Sequence, residues 1–166
     1  MTVEQRIVDE IEIVVATPDN WQAAREIRLE ALLRDPQAFG STYAESIGRT
    51  EAEWRAWVSR PGATLLLART TQGVVGIVGG LRDVDASDGS VAMIVSMYVT
   101  AQYRQRGVGR RLLQAILADL EGDPVLTRVI LHVTASQLSA RRLYASLGFV
   151  PAGEEDGEII MTRPLR

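Results

Sequence analysis

The stretch Val99–Leu113, VTAQYRQRGVGRRLL, decides how this chain is read. Upstream of it, Val91–Val99 (VAMIVSMYV) is apolar and β-branched at several positions, the pattern of a buried central strand. Downstream, Leu112, Leu113, Ile116, Leu117 and Leu120 recur at helical spacing, which predicts an amphipathic helix over Val108–Leu120 facing a sheet. The junction RQRGVG therefore lies where strand gives way to helix. Glycine lets the backbone turn sharply and lets a ligand approach it closely. The first amides of a helix have no partner inside it and carry the positive end of its dipole, so a series of them takes phosphate. Arg104, Arg106, Arg110 and Arg111 add charge for a polyanion. A plain turn also uses a Gly-x-Gly pair, and the dinucleotide fingerprint fails here because Leu112 stands at the third glycine position.

Working outward, the chain reads as β-α-α-β-β-β-α-β-α-β-β without repeats or linkers. Ile11–Ala16 is a β-branched run closed by Thr17-Pro18, and Asp19 or Asn20 can cap a helix to about Arg34 with Trp21, Ala24, Ile27 and Ala31 on its apolar face. Gln37–Gly48 reads as a loop with room for a helical turn. Thr50 and Glu53 form a capping-box pattern for a helix through Ser59, stopped by Pro61-Gly62. Ala63–Thr70 and Val74–Leu81 flank the hairpin signal Thr71-Gln72-Gly73, and Asp83–Ser90 is a turn-rich loop. Beyond the central helix come strand Arg128–Thr134, helix Gln137–Leu147 stopped by Gly148, and a hairpin of Phe149–Gly153 and Glu158–Thr162 around Glu154–Gly157. This is the order of one mixed α/β domain spanning 1–166.

Composition narrows the chemistry. With 166 residues, no cysteine and the single histidine His132, the chain has no disulfide framework, cysteine nucleophile or multi-histidine metal site. All 18 positive side chains are arginine, so a lysine Schiff base and a P-loop lysine are excluded as well. The net charge of −3 argues against general nucleic-acid binding. It hides an asymmetry: Arg104–Arg142 holds seven arginines against three acids, and the remainder is acidic. Met1–Glu10 does not read as a signal peptide, and no run approaches the roughly 18 apolar residues of a membrane helix. Absence of cysteine fits a reducing compartment, and the cytoplasm is the expected location.

Two blocks together resemble a known family. Arg104-x-x-Gly107-x-Gly109 is similar to the Arg/Gln-x-x-Gly-x-Gly/Ala signature of the GNAT acyl-CoA-dependent N-acetyltransferases. Gln137-x-x-Ala140-x-x-Leu143-Tyr144-x-x-x-Gly148-Phe149 is similar to the family's Asn-x-x-Ala-x-x-Leu-Tyr-x-x-x-Gly-Phe, in the family's order and at about its usual distance. The segments Arg28–Leu32 and Asp35–Thr42 also look like a subset of small GNAT proteins, so the resemblance covers nearly the whole chain. It implies an α/β acyl-CoA N-acyltransferase fold: a central mixed, mostly antiparallel sheet with splayed central strands, flanked by helices. It also implies acetyl-CoA as acyl donor, without metal. The pyrophosphate would rest on the turn Arg104, Gln105, Arg106, Gly107, Val108, Gly109, Arg110 and Arg111. The pantetheine would lie along Met97, Tyr98 and Val99, with a backbone N–H aimed at the thioester carbonyl, an oxyanion donor of about 2–4 kcal/mol. Gln137 and Ala140 open the second block; Gln137 replaces the family's asparagine, which often bonds the pantetheine, with a side chain one methylene longer.

The resemblance makes Tyr144 the catalytic side chain, a phenol that protonates the departing thiolate or holds the sulfur. Read without the Gly148-Phe149 context, Tyr144 is better taken as an aromatic packing residue beside Leu147 and Phe149; that context favours catalysis. Many relatives carry a basic glutamate on the central strand, and Val91–Val99 has no carboxylate. Asp83, Asp85, Asp88, Glu45 and His132 are candidate bases, each also readable as a loop or strand residue. The acceptor is expected among Gln37–Arg49, Asp83–Ser90 and Glu154–Gly157, with Phe39 and Tyr43 as an aromatic wall and Glu45 or Asp88 anchoring a cationic amine. The implied activity is direct acetyl transfer to a primary amine of a small molecule or peptide, with no nucleic-acid or membrane partner; a homodimer is compatible with it. The rival readings are a non-catalytic acyl-CoA-binding sensor of the same fold and a scaffold domain without cofactor.

Overall fold

The computed structural model describes residues 10–36, 39, 41–82, 84 and 88–165. The strands are β1 (Glu12–Val15), β2 (Ala63–Thr70), β3 (Gly73–Leu81), β4 (Val91–Val99), β5 (Arg128–Thr134), β6 (Val150–Glu155) and β7 (Glu158–Pro164). The helices are α1 (Trp21–Arg34), α2 (Tyr43–Ile47), α3 (Glu51–Val58), α4 (Val108–Glu121) and α5 (Leu138–Ser146). The strands form a seven-stranded sheet in the order β1-β2-β3-β4-β5-β7-β6. β1 with β2, β5 with β7 and β6 with β7 pair antiparallel, and β4 with β5 parallel. The chain falls into two compact units, Met1–Gly79 with Ser96–Ile116, and Gly80–Val95 with Leu117–Arg166.

In the first unit, the face of α1 carrying Ala24, Ile27 and Ala31 packs with Val58 of α3, Leu65 and Leu67 of β2, Ile77 of β3 and Tyr98 of β4. Each large aliphatic side chain buried there contributes about 1.5–3 kcal/mol. The start of α1 differs from expectation. Asn20 makes no cap bond to the helix; instead Thr17 caps a short turn over Pro18–Asn20 that leads into it. Asn20 Oδ1 accepts from the Thr17 amide at 2.7 Å and Asn20 Nδ2 donates to the Val15 carbonyl at 3.0 Å, so its side chain is committed backwards to the strand end. Thr42 and Glu45 form a capping box that makes the expected turn into the five-residue α2. Thr50 and Glu53 do the same for α3, as their spacing predicts.

In the second unit, β4 pairs with β5 over Val91–Met93 only, whereas β5 pairs with β7 over its whole length. The parallel pairing thus involves the beginning of β4. The last hairpin is tighter than predicted: Glu154 and Glu155 are paired strand residues, and the turn is Asp156-Gly157 alone. Both turn residues have positive φ, 50° and 81°, the backbone of a primed two-residue hairpin, for which Asp-Gly is a favoured sequence. Among the described residues, no helix is long and apolar enough to cross a membrane.

Candidate active site

The second half of β4 leads into the turn that the sequence singles out. Ser96 has φ of 58°, a left-handed residue inside a strand, which breaks the pleat where β4 passes from Val95 to Met97. Met97 and Val99 are half-buried and Tyr98 is buried in the first unit's core. The strand ends in a short helical turn over Ala101–Tyr103, and the chain then runs through Arg104–Gly107 into α4.

Gln105 and Gly107 both have positive φ, 60° and 82°. A Cβ at Gly107 would have nothing within 4 Å, so glycine is required there by the backbone angle and not by crowding. The Arg111 amide donates to the Gly107 carbonyl at 3.1 Å, which sets the amides of Val108 and Gly109 ahead of the first intrahelical bond. Arg104, Gln105, Arg106, Gly107, Arg110 and Arg111 are exposed, Gly109 is half-exposed, and Val108 is buried as the anchor of the helix start. An exposed series of amides at a helix N-terminus, with open space above its glycine and guanidinium groups on both sides, fits a diphosphate.

Two of the arginines are already shaped. Arg104 Nε donates to the Val99 carbonyl at 2.9 Å, and its guanidinium lies 5.5 Å from the Tyr98 ring centre. Arg106 lies 5.7 Å from the Tyr103 ring. Arg104 thus closes the end of β4 and takes one of the backbone acceptors that the sequence reading offered to pantetheine.

Glu30 was passed over in the sequence because it reads as a solvated helix residue. Its carboxylate accepts from Tyr98 Oη at 2.8 Å and from Thr100 Oγ1 at 2.7 Å, tying α1 to the end of β4. Burial, then the hydrogen bond and charge of Glu30, push the Tyr98 phenol up to about 12. Arg28, one turn after Ala24 on the same helix, is buried as well: Nη1 donates to Ser96 Oγ at 2.9 Å and Nη2 to Ser41 Oγ at 3.3 Å. The signal for it is its place on the apolar stripe of α1, four residues from Ala24 and three from Ala31.

Tyr144 stands on α5 in the second unit, buried and edge-on to Phe149 with ring centres 6.0 Å apart. Burial pushes its phenol up to about 12. Its hydroxyl makes no side-chain hydrogen bond to the described residues, so packing and a proton-donating role are both compatible with its position. Gln137 and Ala140 are half-buried at the start of the same helix.

The candidate bases fare unevenly. Glu45 is exposed, its carboxylate accepting from the Thr42 amide at 3.2 Å, and Asp88 accepts from the Ser90 amide at 2.9 Å, so both serve local turns. His132 is a half-buried strand residue opposite Ile160. Asp83 and Asp85 lie outside the described residues. Of the aromatic wall, Phe39 is half-buried against the first unit's core with the Arg28 guanidinium 4.8 Å from its ring, and Tyr43 opens α2. Phe39 therefore faces a cation of this chain.

A central strand with a left-handed residue at Ser96 runs into an arginine-rich, left-handed turn at a helix start. The acetyltransferase (GNAT) family model matches residues 21–149, and the chain belongs to that family. Human N-acetyltransferase 8 is 29% identical over 101 residues, covering 60% of this chain and 44% of that protein. The chain spans less than half the length of the curated relatives it matches. A GNAT acetyltransferase of Streptococcus pneumoniae superposes with TM-score 0.78 at 22% identity, over 93% of this chain and 99% of that one. The PaiA N-acetyltransferase of Thermoplasma acidophilum, solved in complex with coenzyme A, gives TM-score 0.74 at 16% identity, over 93% and 98%. These likenesses to solved structures show the shared fold.

Proposed function

We propose that this chain is an acetyl-CoA-dependent N-acetyltransferase that moves an acetyl group directly to a primary amine of a small molecule or peptide. The observation that carries the reading is the turn at Arg104–Arg111, where left-handed Gln105 and Gly107 set exposed helix-start amides among four arginines. Bound acetyl-CoA supplies the activated acetyl thioester. The turn holds its diphosphate through the amides from Arg106 to Arg111, with Arg106, Arg110 and Arg111 neutralising charge. Met97 and Val99 offer backbone groups to the pantetheine, and the break at Ser96 frees an N–H to bind negative charge at the reacting carbonyl. Tyr144, protonated well past neutral pH by its burial, donates a proton to the leaving sulfur. Gln137 and Ala140 border the carrier. The absence of cysteine is consistent with the lack of an acyl-enzyme step and with a cytoplasmic location.

The test is thiol release from acetyl-CoA over polyamines, aminoglycosides, amino acids and peptide N-termini. The reading expects one class of amine to raise release at least about tenfold over hydrolysis. Slow hydrolysis with no acceleration by any amine supports a sensor of the same fold instead, a reading favoured by the carboxylate-free β4 and the turn-bound Glu45 and Asp88.

A further inference from the structure

Arg28 is 8% exposed, and among the described residues no carboxylate lies within ion-pair distance of it. Of the acids near it, Glu26 is exposed, Glu30 is engaged by Tyr98 and Thr100, and Glu45 by the Thr42 amide. Its guanidinium lies over two aromatic rings, 4.8 Å from the Phe39 centre and 5.7 Å from the Trp57 centre. Among the described residues two neutral hydroxyls accept from it, Ser96 Oγ and Ser41 Oγ, and its Nε is buried without a hydrogen-bond partner. Arg49 adds to the positive field; burial, then its charge, lower the Arg28 pKa to about 10. A buried cation with a missing hydrogen-bond partner and another cation nearby is costly unless an anion completes it.

We propose that Arg28 anchors the carboxylate of the acceptor, which makes the acceptor a small amino acid. The position of Ser96 limits the size. It holds Arg28 and immediately precedes Met97, whose Cα is about 3.8 Å away across one trans peptide and where the acyl carrier is assigned. An amine one or two carbons from the carboxylate spans that step. The inference rests on the N-acetyltransferase reading of β4 and replaces the expectation that an acidic side chain such as Glu45 or Asp88 anchors a cationic amine. In the reaction the ammonium first loses a proton to solvent. Its nitrogen then bonds to the acetyl carbon and gives up a second proton, the carbon–sulfur bond breaks with its electron pair going to sulfur, and the thiolate takes up one proton, leaving an N-acetyl amino acid, a free thiol and one proton released to solvent.

The experiment separates binding from transfer. Each proteinogenic L-amino acid, glycine and β-alanine is titrated calorimetrically into the protein pre-loaded with coenzyme A, and each binder is repeated as its carboxamide. Thiol release with acetyl-CoA is followed for the same pairs. At least one amino acid is expected to bind, with its carboxamide about 100-fold weaker or worse, the range for a desolvated charge pair losing a partner. Arg28→Met is expected to abolish that preference while coenzyme A binding is kept, and Ser41→Ala to weaken it severalfold. The wild-type comparison of acid with amide stands even where Arg28→Met fails to fold. The proposal is overturned by amides binding as well as acids, by no amino acid binding, or by a folded Arg28→Met that still discriminates. Amino acids that bind through Arg28 without being acetylated would support the anion site and refute the transferase reading.

Discussion

Replacing Glu30 by alanine removes the single acceptor shared by Tyr98 Oη and Thr100 Oγ1, at 2.8 and 2.7 Å. A hydrogen bond to a charged group contributes about 1.5–3 kcal/mol, and Glu30 is half-buried, so each bond belongs at the low end of that range. Tyr98 is 4% exposed, so its hydroxyl, left with the Arg104 guanidinium, cannot exchange Glu30 freely for water. The expected loss is about 2–3 kcal/mol, or about 5–10 °C in melting temperature for a chain of this size. Urea unfolding followed by far-UV circular dichroism measures it, with Glu26→Ala as a control on the exposed side of the same helix, expected within about 0.5 kcal/mol of wild type. Glu30→Gln separates charge from shape: it lowers the Tyr98 pKa part of the way, since burial, the largest cause of the shift, remains. A Glu30→Ala protein as stable as Glu26→Ala would refute the reasoning that this carboxylate ties α1 to β4.

Further outcomes follow from the two buried phenols and from the catalytic assignment. Tyr98 and Tyr144 are both raised to about 12, so their tyrosinate absorbance at 295 nm emerges only near pH 12; a titration complete by pH 11 would contradict their burial. The folded pKa exceeds the unfolded value of about 10, so this stabilisation is intact below pH 10 and is lost as the pH rises from 10 towards 12, by at most about 3 kcal/mol per group. Tyr144→Phe keeps the edge contact with Phe149 and removes only the hydroxyl, so acetyl transfer is expected to fall at least about tenfold with acetyl-CoA affinity kept. Unchanged turnover removes Tyr144 from the mechanism.

The elements legible in the sequence were those whose cause is local. The apolar run of β4, the stripe of α4 and the Thr50–Glu53 box each dictate their element within a few residues, and each stands within two residues of its predicted bounds. The turn at Arg104–Arg111 was legible for the same reason: a glycine between strand and helix announces a backbone angle, and Gly107 has it. The Asp156-Gly157 turn carried an equally local signal, but the flanking Glu154 and Glu155 are exposed strand residues and read as loop by polarity. Arg28 and Glu30 were hidden for a different reason. A charged side chain in a helix reads as solvated unless its partners are known, and Ser96, Tyr98 and Thr100 lie about seventy residues away in the chain. The left-handed conformation of Ser96 was equally unreadable, since serine carries no signature of positive φ. The acidic average of the first half concealed that, among the described residues, Arg28 has no ion pair.

The central claim is that the turn at Arg104–Arg111 cradles the diphosphate of an acyl carrier, and calorimetric titration with acetyl-CoA tests it most directly. The account predicts saturable one-to-one binding that weakens with added salt, as a contact between arginines and phosphate must, and that is far weaker for S-acetyl-pantetheine, which lacks the diphosphate. No binding of acetyl-CoA, or equal binding of the two thioesters, would contradict it.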